Sequence, residues 1–383
     1  MRIVYHYTAF GTVGGTDRMI LSKASYFADV YGYEVFLVTD SQKSNDYFFP
    51  ISNRIKHVDL GVDFSQEYGH NFVGRVYWYF KLMRIYKQRL ISTLNDINPE
   101  ILVITLGREM DIIHHLKKTG RILVGETHLA KPFIRNLHLL RARGGFFSYV
   151  AKYIERKQEK GVALLDKLVV LTETTRKQWR PFADTIVIPN FNSLYPEQLT
   201  DEKYGSSVIA VGRLNEQKGY DLLIQSWRIV HLHHPEWQIN IYGNGEEKSR
   251  LEQLILDAGL SNVVYLNEPV INIEEKYMRS DFYVLSSRYE GWGLVLLEAM
   301  GCGIPCVSFD CPDGPSDIIQ NGVNGLLVKN GDVGELAEKI CWMIEHPEER
   351  LKMGEKGRVR ALEFSQSKIM IEWKKLFEEL CKK

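Results

Sequence analysis

The chain has 383 residues, 45% of them hydrophobic and 25% charged, with 48 Lys+Arg balanced by 48 Asp+Glu. That length fits two domains with separate cores, and the composition excludes disordered, collagenous and disulfide-scaffold chains. No apolar stretch approaches the ~20 residues of a membrane span. Residues 1–5 run straight into a strand pattern without a signal-peptide hydrophobic region, and the five cysteines, with no CxxC among them, are expected as free thiols in a reducing cytosol.

Net neutrality hides an asymmetry. Residues 1–190 hold 27 Lys+Arg against 18 Asp+Glu, and residues 191–383 hold 21 against 30, so the halves carry +9 and −9. The split hints at two domains with different partners, with drift in surface charge as the alternative. From the amino terminus, short apolar runs alternate with helical patterns. The first half predicts strands over 3–7, 34–39, 101–106, 122–125, 167–171 and 185–188. The second predicts them over 208–212, 238–242, 263–266, 282–286, 305–309 and 325–328. Continuous runs suit parallel strands buried on both faces, and the intervening helices make the class α/β. Two sets of about six strands predict two doubly wound, Rossmann-like domains. The polar, turn-rich stretch 190–207 divides them, giving domains of 1–190 and 191–365. A helix over 366–381 follows, with an apolar stripe that includes Ile369, Trp373, Leu376, Phe377 and Leu380.

Ligands of open α/β sheets bind beyond the carboxyl ends of the strands, so the loops there are the candidate sites. The first, Gly11-Thr12-Val13-Gly14-Gly15-Thr16-Asp17-Arg18, opens a helix whose amino end can attract an anion; a tight turn with no ligand fits the same residues. It is not GxGxxG, although Asp40 ends the next strand. The second, Gly212-Arg213-Leu214-Asn215-Glu216-Gln217-Lys218-Gly219, sends two cations from one strand-to-helix loop, a pairing suited to a diphosphate or simply to solvent. In the third, Gly291 and Gly293 flank the start of a helix, with Glu290 before it and Glu298 inside an apolar run. A buried Glu298 needs a partner, either ribose hydroxyls or a structural Arg or Lys. The fourth, Cys311-Pro312-Asp313-Gly314-Pro315, predicts another helix start at Pro315.

In order and spacing these loops resemble the retaining glycosyltransferases of the GT-B fold, specifically glycosyltransferase family 4. Glu290 and Glu298 match an E-x7-E motif, and Gly212-Arg213-Leu214 with Lys218-Gly219 match a G-R-L…K-G loop. Gly243-Asn244-Gly245, Asn321-Gly322 through Val328, and Gly14-Gly15 with Arg18 match further family signatures. The resemblance spans the chain and is more specific after residue 205. It implies a GT-B architecture, two Rossmann-like domains facing across a cleft, with the final helix returning to the first. It implies that Arg213 and Lys218 hold the nucleotide diphosphate and offset leaving-group charge. Glu290 would contact the donor sugar, Gly293 and Leu294 would offer amides to the phosphates, and Glu298 would bind the ribose. Gly243 and Asn244 would frame the base, Gly14 and Gly15 would bind the donor nucleotide, and His128 would stand near the donor sugar as a candidate catalytic residue. A lone His in a loop is more often structural. The Cys-Pro-x-Gly-Pro loop, in place of the commoner Gly-Gly-x-Pro-Glu, resembles the subgroup that builds bacterial surface polysaccharides and lipid-linked oligosaccharides. This implies a UDP-sugar donor of the hexose or N-acetylhexosamine class. No Asp-x-Asp occurs, in keeping with a family that needs no metal or other cofactor. No general base is assigned from sequence.

Residues 68–95 and 127–154 contain no acid, yet interleave Lys and Arg with Tyr77, Trp78, Phe80, Phe146, Phe147 and Tyr149. Such helices suit an anionic membrane surface and a polyprenyl-diphosphate-linked acceptor; aromatics that merely fill the core are the alternative. Nucleic acid is not expected, since no nucleic-acid fold accompanies the basic stretches. The expectation is therefore a cytoplasmic glycosyltransferase, peripheral on the inner face of the membrane, that moves a sugar from a UDP-sugar to a glycan. A non-catalytic nucleotide-sugar-binding protein and a sugar-nucleotide epimerase are the alternatives.

Overall fold

The structure, a computed structural model, describes all residues except 12, 13, 44–46, 119, 201 and 383, and omits the side chains of Tyr68, Phe72, Val73 and Asn136. It divides into two compact units, Met1–Ile188 with Met370–Lys383, and Pro189–Ile369.

The first unit runs β1 (Arg2–Tyr7), α1 (Gly15–Asp29), β2 (Glu34–Thr39), β3 (Lys56–Asp59), α2 (Phe72–Ile97), β4 (Ile101–Thr105), α3 (Ile113–Lys117) and β5 (Ile122–Glu126). It continues with α4 (Leu137–Ala142), α5 (Gly145–Val162), β6 (Lys167–Val170), α6 (Glu173–Trp179) and β7 (Thr185–Val187). All seven strands are parallel, in the order β3-β2-β1-β4-β5-β6-β7. The central strands are buried on both faces, as their unbroken apolar runs require. Six of the seven strands fall where the sequence predicts them. The seventh, β3, is a polar edge strand, Lys-His-Val-Asp, with none of its residues buried, so apolar periodicity does not reveal it. Asn71 caps α2 by accepting from the Gly74 amide, and Asn98 closes it in the left-handed conformation. Between these ends Tyr86, Leu90 and Leu94 are buried with Val4, Leu102 and Ile104 in one core.

The second unit runs β8 (Ser207–Val211), α7 (Tyr220–His233), β9 (Gln238–Tyr242), α8 (Lys248–Asp257), β10 (Val264–Asn267), α9 (Ile273–Arg279) and β11 (Phe282–Leu285). It continues with α10 (Leu294–Gly301), β12 (Cys306–Asp310), α11 (Pro315–Ile318), β13 (Gly325–Lys329), α12 (Val333–Glu345) and α13 (Pro347–Glu363). Its parallel sheet has the order β10-β9-β8-β11-β12-β13. Trp227, Ile239, Phe282, Val307 and Ile340 are buried in its core.

The last helix, α14 (Gln366–Cys381), leaves the second unit after Ile369 and joins the first. There Phe377 stacks on Phe27 of α1 at 5.1 Å, and the Lys23 ammonium lies 4.5 Å from the Trp373 ring.

Candidate active site

Where strand order reverses in a doubly wound sheet, neighbouring loops diverge and leave a crevice at the carboxyl ends. In the second sheet that point lies between β8 and β11, and the loops after both carry predicted site residues. After β8, Asn215 accepts from the Lys218 amide and closes a single turn, Glu216–Lys218, which ends at Gly219 with φ 61°. A Cβ at Gly219 would collide with the Ser286 carbonyl oxygen, so the loop after β8 lies backbone to backbone against the loop after β11. Gly243 meets the Gly212 carbonyl in the same way, which brings in the loop after β9.

This closeness sets the side chains. Lys218 Nζ lies 2.6 Å from Glu290 Oε1, and the Ser287 hydroxyl donates to the same oxygen at 2.6 Å. Glu290 is 6% exposed, and among the described residues its Oε2 takes no hydrogen bond. Arg288 is bidentate to Asp221 at 2.8 Å and donates its amide to the Gln217 carbonyl, which locks the two loops together. Arg213 is exposed, and its guanidinium makes no hydrogen bond or ion pair among the described residues. The site thus presents one cation already neutralised and one that is not.

Gly293 precedes α10 with φ 87°, and Leu294 begins the helix, so the free amides of its first turn lie beside Glu290 in sequence. Glu298 is buried within α10 and accepts from the Tyr277 hydroxyl at 3.3 Å. Asn244 donates from its amide to Glu268 at 3.2 Å. The fourth loop joins the others through the Glu290 amide, which donates to the Pro312 carbonyl at 3.2 Å. The helix expected at Pro315 is a single turn of four residues, so it contributes little dipole. Cys311 on that loop is a neutral thiol, because burial and then the charge of Glu290 push its pKa up.

In the first unit, Gly14 stands at the amino cap of α1 and Gly15 is its first residue; Thr12 and Val13 of that loop lie outside the described residues. His128 follows β5, with Nε2 3.0 Å from Glu126 Oε1, the oxygen that also meets Lys23. Burial raises the Glu126 carboxyl, but Lys23 and then His128 outweigh it and hold the pKa at about 2. Burial also lowers the Lys23 pKa, with Glu126 opposing. Sequence reasoning passed over Lys23, although it lies four residues after Met19 and four before Phe27, on the buried stripe of α1. A cation on such a stripe signals a buried partner.

A second charged cluster was equally unanticipated. His6 Nδ1 is 2.8 Å from Glu109 and Nε2 is 3.1 Å from Asp40, all three buried. Burial lowers the imidazole pKa, but hydrogen bonds to Asp40 and Glu109 outweigh it and raise it to about 9. Asp40, at the end of β2, therefore faces an imidazolium. It also lines a cavity of about 410 Å³, together with Thr8, Lys43, Phe64, Ser65 and Arg108. The Arg108 guanidinium lies 4.2 Å from the Phe64 ring centre.

Residues 195–360 match the family described as Glycosyl transferases group 1. An uncharacterized glycosyltransferase of Haemophilus influenzae is 27% identical over 95% of this chain and 96% of its own length. The poly(ribitol-phosphate) alpha-N-acetylglucosaminyltransferase of Staphylococcus aureus is 30% identical over 61% of this chain, which spans 47% of that protein. A crystal structure of a Staphylococcus aureus TarM variant, in complex with fondaparinux, alpha-GlcNAc-glycerol and UDP, superposes with a TM-score of 0.75 at 17% identity. It covers 98% of this chain and 99% of the other. The two Rossmann-like parallel sheets and this superposition show the GT-B fold.

Proposed function

We propose that this chain, whose residues 195–360 match the glycosyl transferases group 1 family, is a retaining glycosyltransferase of bacterial glycan synthesis. It takes a hexose or N-acetylhexosamine from a UDP-sugar and adds it to a glycan acceptor, which is lipid-linked and reached at the membrane. The UDP complex of TarM and the N-acetylglucosaminyl transfer named for the Staphylococcus aureus relative support the donor class.

One observation carries the reading. Lys218 and Glu290 meet at 2.6 Å at the switch point of the second sheet, and the loop that carries Lys218 also carries the exposed, unpaired Arg213. A diphosphate arriving there replaces Glu290 as the partner of Lys218 and gains Arg213. Glu290, still held by Ser287, is then free to accept from sugar hydroxyls. The two cations stabilise the charge that builds on the departing diphosphate, so that no metal is required. The acceptor hydroxyl attacks the face from which the diphosphate leaves, and a phosphate oxygen of the leaving group takes its proton. The new glycosidic bond thus keeps the donor's anomeric configuration. Glu298 takes the ribose, and Gly293 and Leu294 offer the first amides of α10.

UDP-sugar consumption is the test. Arg213→Ala and Lys218→Ala should each lower kcat/KM by about 10²–10³-fold and abolish thermal stabilisation by UDP. Near-normal turnover in either variant sinks the diphosphate role.

A further inference from the structure

Two observations bear on the aromatics of the first unit. The first is exposure: Phe146, Tyr149 and Tyr153 on α5 are 69%, 74% and 66% exposed, and Tyr77 and Phe80 on α2 are 64% and 68% exposed. These rings do not fill the core. On α5 they recur at i, i+3 and i+7, one stripe of the helix, with Lys152, Arg156 and Lys160 beside them. The stripe starts at a sharp reversal after α4, where Gly144 and Gly145 both have positive φ, 69° and 51°, so that Phe146 and Phe147 stand at the tip of a helical hairpin. Arg143 on that tip lies over the Phe147 ring at 5.6 Å.

The second observation is charge. The carboxylates of the hairpin are already paired, Glu155 with Arg141 and Glu159 with Lys131, each at 2.6 Å. Asp111 pairs with Arg135 and Lys157 and accepts from the Tyr79 hydroxyl of α2, which fastens α2 and α5 to one point. Lys152, Arg156 and Lys160 make no hydrogen bond or ion pair among the described residues. What remains outward is aromatic and cationic, with no uncompensated acid over 127–154. No helix of the described residues is long and apolar enough to cross a membrane.

We propose that the first unit docks on an anionic phospholipid surface through the α4–α5 hairpin tip and the exposed stripe of α2. The aromatic rings enter the headgroup layer and the unpaired cations meet lipid phosphates. Charge complementarity selects this occupant, because Phe and Tyr side chains alternating with free Lys and Arg fit a surface that is apolar in depth and anionic on top. The proposal rests on the glycosyltransferase reading only for its purpose, delivery of the enzyme to a lipid-linked acceptor; docking itself does not depend on turnover.

The test is flotation of the full chain with vesicles of phosphatidylcholine alone and of phosphatidylcholine with 30% phosphatidylglycerol, at low and physiological salt. The anionic vesicles should bind at least about tenfold more tightly, and less so as salt rises. The variant Phe146→Ser, Tyr149→Ser and Tyr153→Ser, and separately Lys152→Glu with Arg156→Glu, should each lose about tenfold or more. Both should keep the wild-type melting temperature and rate of UDP-sugar hydrolysis, since every changed side chain is exposed. Absence of binding to anionic vesicles at low salt overturns the proposal, as does undiminished binding by the aromatic variant. Loss of UDP-sugar hydrolysis in the wild type would count against the enzymatic reading and leave the vesicle result standing.

Discussion

Lys23 and Glu126 form a buried ion pair. Each alone would cost several kcal/mol to bury as an ion, and together with His128 and the Trp373 ring they form one compensated group. Replacing Glu126 with Gln leaves the Lys23 ammonium buried without its counter-ion, so Glu126→Gln should destabilise the protein by about 3–5 kcal/mol at neutral pH. The pH dependence has a definite sign. The Glu126 pKa is depressed from 4.5 to about 2, so its contribution is fully present above 4.5 and disappears as pH falls through 2. Thermal melts between pH 7 and pH 2 should show a decline in wild type across that window that is absent from the variant. An equal slope in both would refute the assignment. Lys23 was legible in the sequence as a cation on an apolar stripe. Glu126 was legible only as the residue two before His128, because its partner lies 103 positions away and no local period joins them.

Among elements, the loops after β8, β9 and β11 act as one body because glycine lets their backbones touch. Gly219→Ala would force both a left-handed backbone on alanine and a collision with the Ser286 carbonyl. The loop must then move, and Lys218 moves with it. The expected outcome is a fall in UDP affinity of at least tenfold, measured by calorimetry, with a smaller change in melting temperature. These loops were the most legible part of the chain, since motif glycines and cations sit at strand ends that apolar runs already locate. Elements without such a signature were not legible. β3 is polar and lies at a sheet edge, and α11 stops after one turn although Pro315 reads as a helix start.

For the whole molecule, the apolar stripe on α14 predicts a buried helix but not which core it joins. Phe377 against Phe27 and Trp373 over Lys23 place it in the first unit. Trp373→Ala should therefore cost about 3–5 kcal/mol. Hydrogen exchange should report the loss in α1 and β5 of the first unit rather than in the sheet of the second. Protection lost only from the second unit would contradict the assignment. The opposite charges of the two halves also acquire a physical location. Part of the positive excess lies on the exposed stripes of α2 and α5, while the second unit keeps Arg213 and Lys218 among a surplus of acids.

Because the first unit is closed by Met370 and the residues after it, its two parts leave the ribosome separated by the whole of the second unit. The second unit is continuous from Pro189 to Ile369 and can complete itself as it emerges. The first must wait, its Lys23 pocket without the Trp373 ring, until the 181 intervening residues have been translated. Closing the first unit therefore requires closing a long chain loop, and a chain that stops just after Ile369 carries a complete second unit joined to an incomplete first one.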